Sequence, residues 1–100
     1  MSLTQKELEN LMASPFWQQC QHAVEHNEYL NVNGQQMPQA IWNLMVSKRD
    51  LTLWCKAGMK PHRHWKVSDV KKYFNISGSR HTLLDRFMKI YHHVLGDDEQ

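Results

Sequence analysis

Five cations and two hydroxyls surround one glycine: Lys66, Lys71, Lys72, Arg80 and Arg86, with Ser77 and Ser79 on either side of Gly78. The chemistry they share is anion binding. Lysine and arginine neutralise phosphates and release condensed counterions, which gives affinity with little sequence information. Ser77, Ser79 and the free amides of a helix that starts after Ser79 add donors for one phosphate, helped by the helix dipole. Arg63 and Trp65 stand at the margin of this group, where a guanidinium and an indole ring support stacking and cation–π contact with an exposed base, although Trp65 reads first as a core anchor that pins the loop. Residues 60–90 are therefore the expected contact surface, and nucleic acid, DNA before RNA, is the expected ligand.

Other chemistries find less support. His62, His64 and Cys55 lie near one another in the chain, and Cys20, His22 and His26 supply further ligand types, with His22 and His26 spaced to share one helix face. No CxxC, no HxxxH with a glutamate and no paired zinc spacing accompanies them, so the reading is ordinary histidines and no metal. Cys20 has no oriented base and third group that the sequence can supply. No glycine-rich phosphate loop and no paired carboxylates occur. The chain is read as a non-enzyme without a cofactor.

Charge is distributed unevenly. Residues 1–46 carry one Lys against four Glu, a net −3, whereas residues 47–95 carry eleven Lys and Arg against three Asp, a net +8. Asp97, Asp98 and Glu99 return the whole chain to +2. Five of the seven histidines fall in the basic segment and add titratable charge there. Such asymmetry speaks about partners rather than fold. A length of 100 residues suits one core, and 41% apolar with 22% charged residues is an ordinary globular composition. No apolar run reaches the roughly 18 residues of a membrane span, and no secretory leader is visible. Two widely separated cysteines outside any CxxC point to reduced thiols and a cytoplasmic protein.

The elements that must position the basic residues are marked by local signals. Thr4-Gln5-Lys6-Glu7 has the form of a capping box and predicts a helix over 5–13 with Leu8, Leu11 and Met12 inward. Ser14-Pro15 starts a second, with Phe16, Trp17, Cys20, Ala23 and Val24 at helical spacing, ending near His26-Asn27. Asn33-Gly34 suits a type I′ turn and predicts a short hairpin within 29–37. A third helix follows Met37-Pro38 with Ala40, Ile41, Leu44 and Met45 inward. Ser47-Lys48-Arg49-Asp50 repeats a capping pattern and predicts a fresh helix that Gly58 stops. A loop over 60–65 precedes a short helix over 67–74. Ser79 then caps a last helix whose stripe is Leu83, Leu84, Phe87, Ile90, Tyr91 and Val94.

Gly78, Arg80, Leu83, Leu84, Arg86 and Phe87, preceded by Val67-Ser68-Asp69-Val70-Lys71, form a pattern that resembles the SAP motif, a helix–extended loop–helix unit of DNA-associated proteins. The resemblance covers residues 67–87, and its loop, 75–78, is shorter than the family's and lacks the usual further Gly-Leu step. A helix-turn-helix is the rival match, on Val70-Lys71-Lys72-Tyr73-Phe74-Asn75-Ile76-Ser77, with an insertion before Thr82. Either resemblance implies DNA binding by this unit.

The expectation is thus a mainly α, small single-domain helical bundle of five or six short helices with a short β-hairpin near residues 29–37. Residues 1–96 form the domain, 67–95 its helix–loop–helix unit, and 97–100 an acidic disordered tail. The alternative function is a protein-interaction adaptor or inhibitor whose basic face meets an acidic protein surface and whose exposed aromatics anchor it.

Overall fold

The computed structural model describes residues 3–96, and the tail expected over 97–100 lies outside them. Among the described residues the chain is mainly α-helical, with five α-helices and one two-stranded antiparallel hairpin. None of the helices is long and apolar enough to cross a membrane.

The first helix, α1 (Gln5–Met12), begins at the capping box. Thr4 Oγ1 accepts from the Glu7 N–H at 3.2 Å, and Glu7 Oε1 accepts from the Thr4 N–H at 2.9 Å. A tight turn through Ser14 leads into α2 (Pro15–Glu25). Ser14 is fully buried; its Oγ accepts from the Trp17 N–H at 3.1 Å, and its hydroxyl donates back to the Leu11 carbonyl. Ser14→Ala leaves the Trp17 N–H without its acceptor, while the Leu11 carbonyl keeps the Ser14 N–H at 3.0 Å, and is expected to cost about 1–2 kcal/mol. Urea unfolding checks it: the midpoint should fall with the slope unchanged. A midpoint equal to that of the parent chain would show the cap to be dispensable.

The hairpin pairs β1 (Leu30–Val32) with β2 (Gln35–Met37) in the register Leu30↔Met37, Asn31↔Gln36, Val32↔Gln35. Its turn holds Asn33 at φ +52° and Gly34 at φ +83°. Two consecutive positive φ angles define the type I′ geometry, which asparagine and glycine adopt at least cost.

The main departure from the sequence-based expectation is α3 (Gln39–Thr52), which runs unbroken through Ser47-Lys48-Arg49-Asp50. Leu44 and Leu51, seven residues apart on one face, are both buried, and only a continuous helix keeps them there. Asp50, expected near a solvent-facing cap, is itself buried. The adjacent Arg49 satisfies it, with Nε and Nη2 each 3.0 Å from Oδ1. The helix widens into a π-helical turn, Leu53–Ala57, and stops at Gly58, left-handed at φ +70°. Met12, Val24 and Met45, expected inward, are 50%, 60% and 38% exposed. Met12 and Met45 stand at the edge of the apolar stripe of their helices, and Val24 lies in the last turn of α2.

The remaining helices are α4 (Val67–Phe74) and α5 (Arg80–Leu95). Asn75 ends α4 in the left-handed region, and its side-chain Nδ2 donates to the Asn10 carbonyl at 2.8 Å, tying the connection to α1. One buried cluster takes residues from every helix, among them Leu11, Phe16, Leu44, Phe74, Leu83 and Phe87. Phe74 is its centre, with ring centroids 5.1 Å from Phe16, 4.8 Å from Tyr73 and 5.2 Å from Phe87.

Candidate nucleic-acid interface

Trp54, in the π-helical turn, holds both Trp65 and Arg80. Its ring meets Trp65 at 6.0 Å between centroids, so both ends of the loop over 58–66 return to it. Arg80, at the start of α5, reaches the same point. Its Nε donates to the Trp54 carbonyl at 3.4 Å, and its guanidinium carbon lies 5.3 Å from the indole centroid. A Cβ on Gly58 would fall 2.7 Å from Arg80 Nη2, so the absent side chain leaves the space the guanidinium uses. Lys56 lies in the turn itself, Lys66 follows Trp65, and Lys60 and Arg63 ride on the loop between; all four are exposed.

These cations have no carboxylate partner among the described residues. The ion pairs there join Arg49 to Asp50, Lys89 to Glu7 and His22 to Glu28. Asp69 lies in the first turn of α4, and the charges of Asp85 and Arg80 both act on Cys55.

The sequence-predicted residues are only partly brought together. Lys71, half-buried, and Lys72, exposed, occupy the last turn of α4, where they also face the carbonyl end of the helix dipole. Ser79 is committed to its own helix: its Oγ accepts from the His81 N–H at 3.3 Å, and its N–H donates to Thr82 Oγ1 at 3.1 Å. The Thr82 and Leu83 N–H groups donate to the Ser79 carbonyl at 3.1 and 2.8 Å. These amides are engaged by the cap, which leaves the Arg80 N–H and the side chains as donors for an anion at this helix start. The Ser77 carbonyl accepts from Arg86 Nη1 at 2.6 Å. Six residues beyond Arg80 on the same helix, Arg86 points about 120° away from it around the axis. The two arginines therefore serve opposite flanks of α5.

Trp65 is the core anchor expected of it: it is 8% exposed and belongs to the core cluster, with Trp54 against its ring, and only the stacking alternative is corrected. A buried indole offers no face to a base; its role is to pin the basic loop. Sequence reasoning leaves Lys56 outside the expected surface over 60–90 and does not single out Lys60 within it. The signal for them is present, since residues 56–66 hold four Lys and Arg, two His and no carboxylate.

The thiols are poor nucleophiles in this setting. Burial pushes the Cys20 thiol up to about 11, and burial also raises that of Cys55, against the pull of the Arg80 charge. Cys20 should accordingly react with iodoacetamide at pH 8 about a hundredfold more slowly than an ordinary thiol, because thiolate is the reacting form. Mass-spectrometric labelling rates check this, and a rate equal to that of free cysteine would contradict it. Among the described residues no group of three His, Cys, Asp or Glu converges on a point where a metal could bind. No family model matches the chain, and comparisons with curated proteins and solved structures give no significant match.

Proposed function

We propose that this protein binds nucleic acid, DNA before RNA, through backbone phosphates laid across the surface formed by Lys56, Lys60, Arg63, Lys66 and Arg80. The observation that carries this reading is that these cations are exposed, that four of them lie within residues 56–66 beside the Trp54 that holds Arg80, and that they have no carboxylate partner among the described residues. Arg80, held by a carbonyl and an indole ring, loses little side-chain entropy when it takes a phosphate, which makes it the anchor. The likeness of Gly78, Arg80, Leu83, Leu84, Arg86 and Phe87 to a SAP-type unit adds support.

Fluorescence-anisotropy titration with duplex and single-stranded oligonucleotides at about 50 and about 200 mM salt tests it. Four phosphate contacts give a log–log salt slope near about −3.6 on duplex and a loss of roughly a hundredfold between the two conditions. Absence of binding at the lower salt removes the proposal. A second reading, docking on an acidic protein surface, draws on Trp42 and Met45, which share one side of α3 and are 36% and 38% exposed. Partners retained through nuclease treatment would favour it over nucleic acid.

A further inference from the structure

A cavity of about 390 Å³ lies on the other flank of α5, between α1 and the connection from α4. That size is at the small end of ligand pockets, which start at about 300 Å³. Leu3, Ile76 and Ile90 supply apolar wall, and Glu7, Asn10, Asn75, Ser77 and Arg86 supply polar groups. Arg86 spends one N–H on the Ser77 carbonyl and has no carboxylate partner among the described residues, so most of its donor fork remains open. Asn10 gives its carbonyl to Asn75, and its side-chain amide and the Ser77 hydroxyl have no partner there.

The charge balance limits what can enter. Glu7 accepts from the Thr4 N–H and from Lys89 Nζ, the latter at 3.5 Å. The Thr4 hydrogen bond, with help from Lys89 and against a smaller effect of burial, holds its carboxyl below the usual range, so it is an anion at neutral pH. Arg86 and Lys89 against Glu7 leave one net positive charge. That suits a single negative charge, and the Glu7 carboxylate opposes a dianion such as phosphate.

We propose that this cavity binds a small aliphatic monocarboxylate, its carboxylate on the Arg86 guanidinium, with Asn10 and Ser77 as further donors and its alkyl body against Leu3, Ile76 and Ile90. Arginine's planar fork matches a carboxylate in two parallel hydrogen bonds. The inference is independent of the nucleic-acid surface, which uses the opposite flank of the helix.

The test is a ¹⁵N-resolved titration of the full chain with 3-methylbutanoate, its neutral amide and inorganic phosphate. The acid should give saturable shifts at Ser77, Gly78 and the Asn10 side chain, and the amide should bind at least about tenfold more weakly. Phosphate should not saturate these signals. Arg86→Gln should abolish the acid's effect, whereas Arg80→Gln should leave it intact. Glu7→Gln keeps the capping box, because glutamine serves at that position. It should tighten acid binding about threefold and admit phosphate. Equal binding of acid and amide by the parent chain overturns the proposal, as does the absence of saturable shifts at these residues. Those measurements on the parent chain decide the matter even if the Arg86 variant is unstable.

Discussion

The combined variant Lys60→Gln, Arg63→Gln, Lys66→Gln, Arg80→Gln is expected to lose nucleic-acid binding by three or more orders of magnitude at about 0.1 M salt. Each phosphate contact contributes about tenfold at that ionic strength through counterion release, and the contributions multiply. Anisotropy titration beside the parent chain measures the loss. Stability should barely change for the three loop residues, which are exposed and unpaired among the described residues; such substitutions fall within about 0.5 kcal/mol. Arg80 is the exception. Its contact with the Trp54 ring gives it a structural share of about 0.5–1 kcal/mol. Arg80→Lys separates the two roles: it keeps the charge but not the fork, so binding should weaken several-fold rather than vanish. Unchanged binding by the fourfold variant would place any nucleic-acid contact elsewhere on the molecule.

The largest effect on stability is expected at Phe74. Its side chain is fully buried and touches the rings of Phe16, Tyr73 and Phe87, which come from α2, from α4 itself and from α5. Phe74→Ala removes the transfer free energy of the ring, leaves a cavity between helices and deletes three aromatic pairs, a cost of about 3–5 kcal/mol. Domains of this size are held by about 5–15 kcal/mol in all, so a substantial part of the margin goes with one side chain. Urea unfolding followed by circular dichroism reads it directly. A loss under about 1 kcal/mol would mean that the helices pack around some other centre. Because α4 joins the basic loop to α5, the same variant should also weaken nucleic-acid binding, in contrast to the loop variants, which leave the fold alone.

Much of the local structure is legible in the residues because its causes are local. Thr4 and Glu7 close a capping box, Asn33-Gly34 makes the type I′ turn, Gly58 ends the π-helical turn, and Ser79 caps α5, each through atoms within a few residues of one another. The errors lie where distant residues decide. Ser47-Lys48-Arg49-Asp50 has the composition of a helix start, yet the need to bury Leu44 and Leu51 together carries α3 through it, and Arg49 neutralises the cost of burying Asp50. Met45 falls within a plausible apolar stripe, but no element packs closely enough on that side to cover it.

The candidate site divides in the same way. That the second half of the chain is basic is plain from composition, and the α4–α5 unit is plain from its periodicity. That Arg80 and Arg86 part company is equally set by helical geometry, once the helix is known to be continuous from one to the other. What sequence cannot supply is the partner of each arginine: Trp54 for Arg80 and the Ser77 carbonyl for Arg86. In the proposed reading, those pairings shift the weight of the basic surface from the residues around Gly78 to the loop between Gly58 and Lys66.

The most direct measurement of that claim is a residue-resolved map of where an oligonucleotide lands. In a ¹⁵N-resolved titration of the full chain with a short DNA duplex at low salt, the account predicts shifts concentrated on residues 56–66 and at Arg80, with α1, α2 and the hairpin unmoved. Shifts confined to those N-terminal elements, or none at saturating duplex, would contradict it.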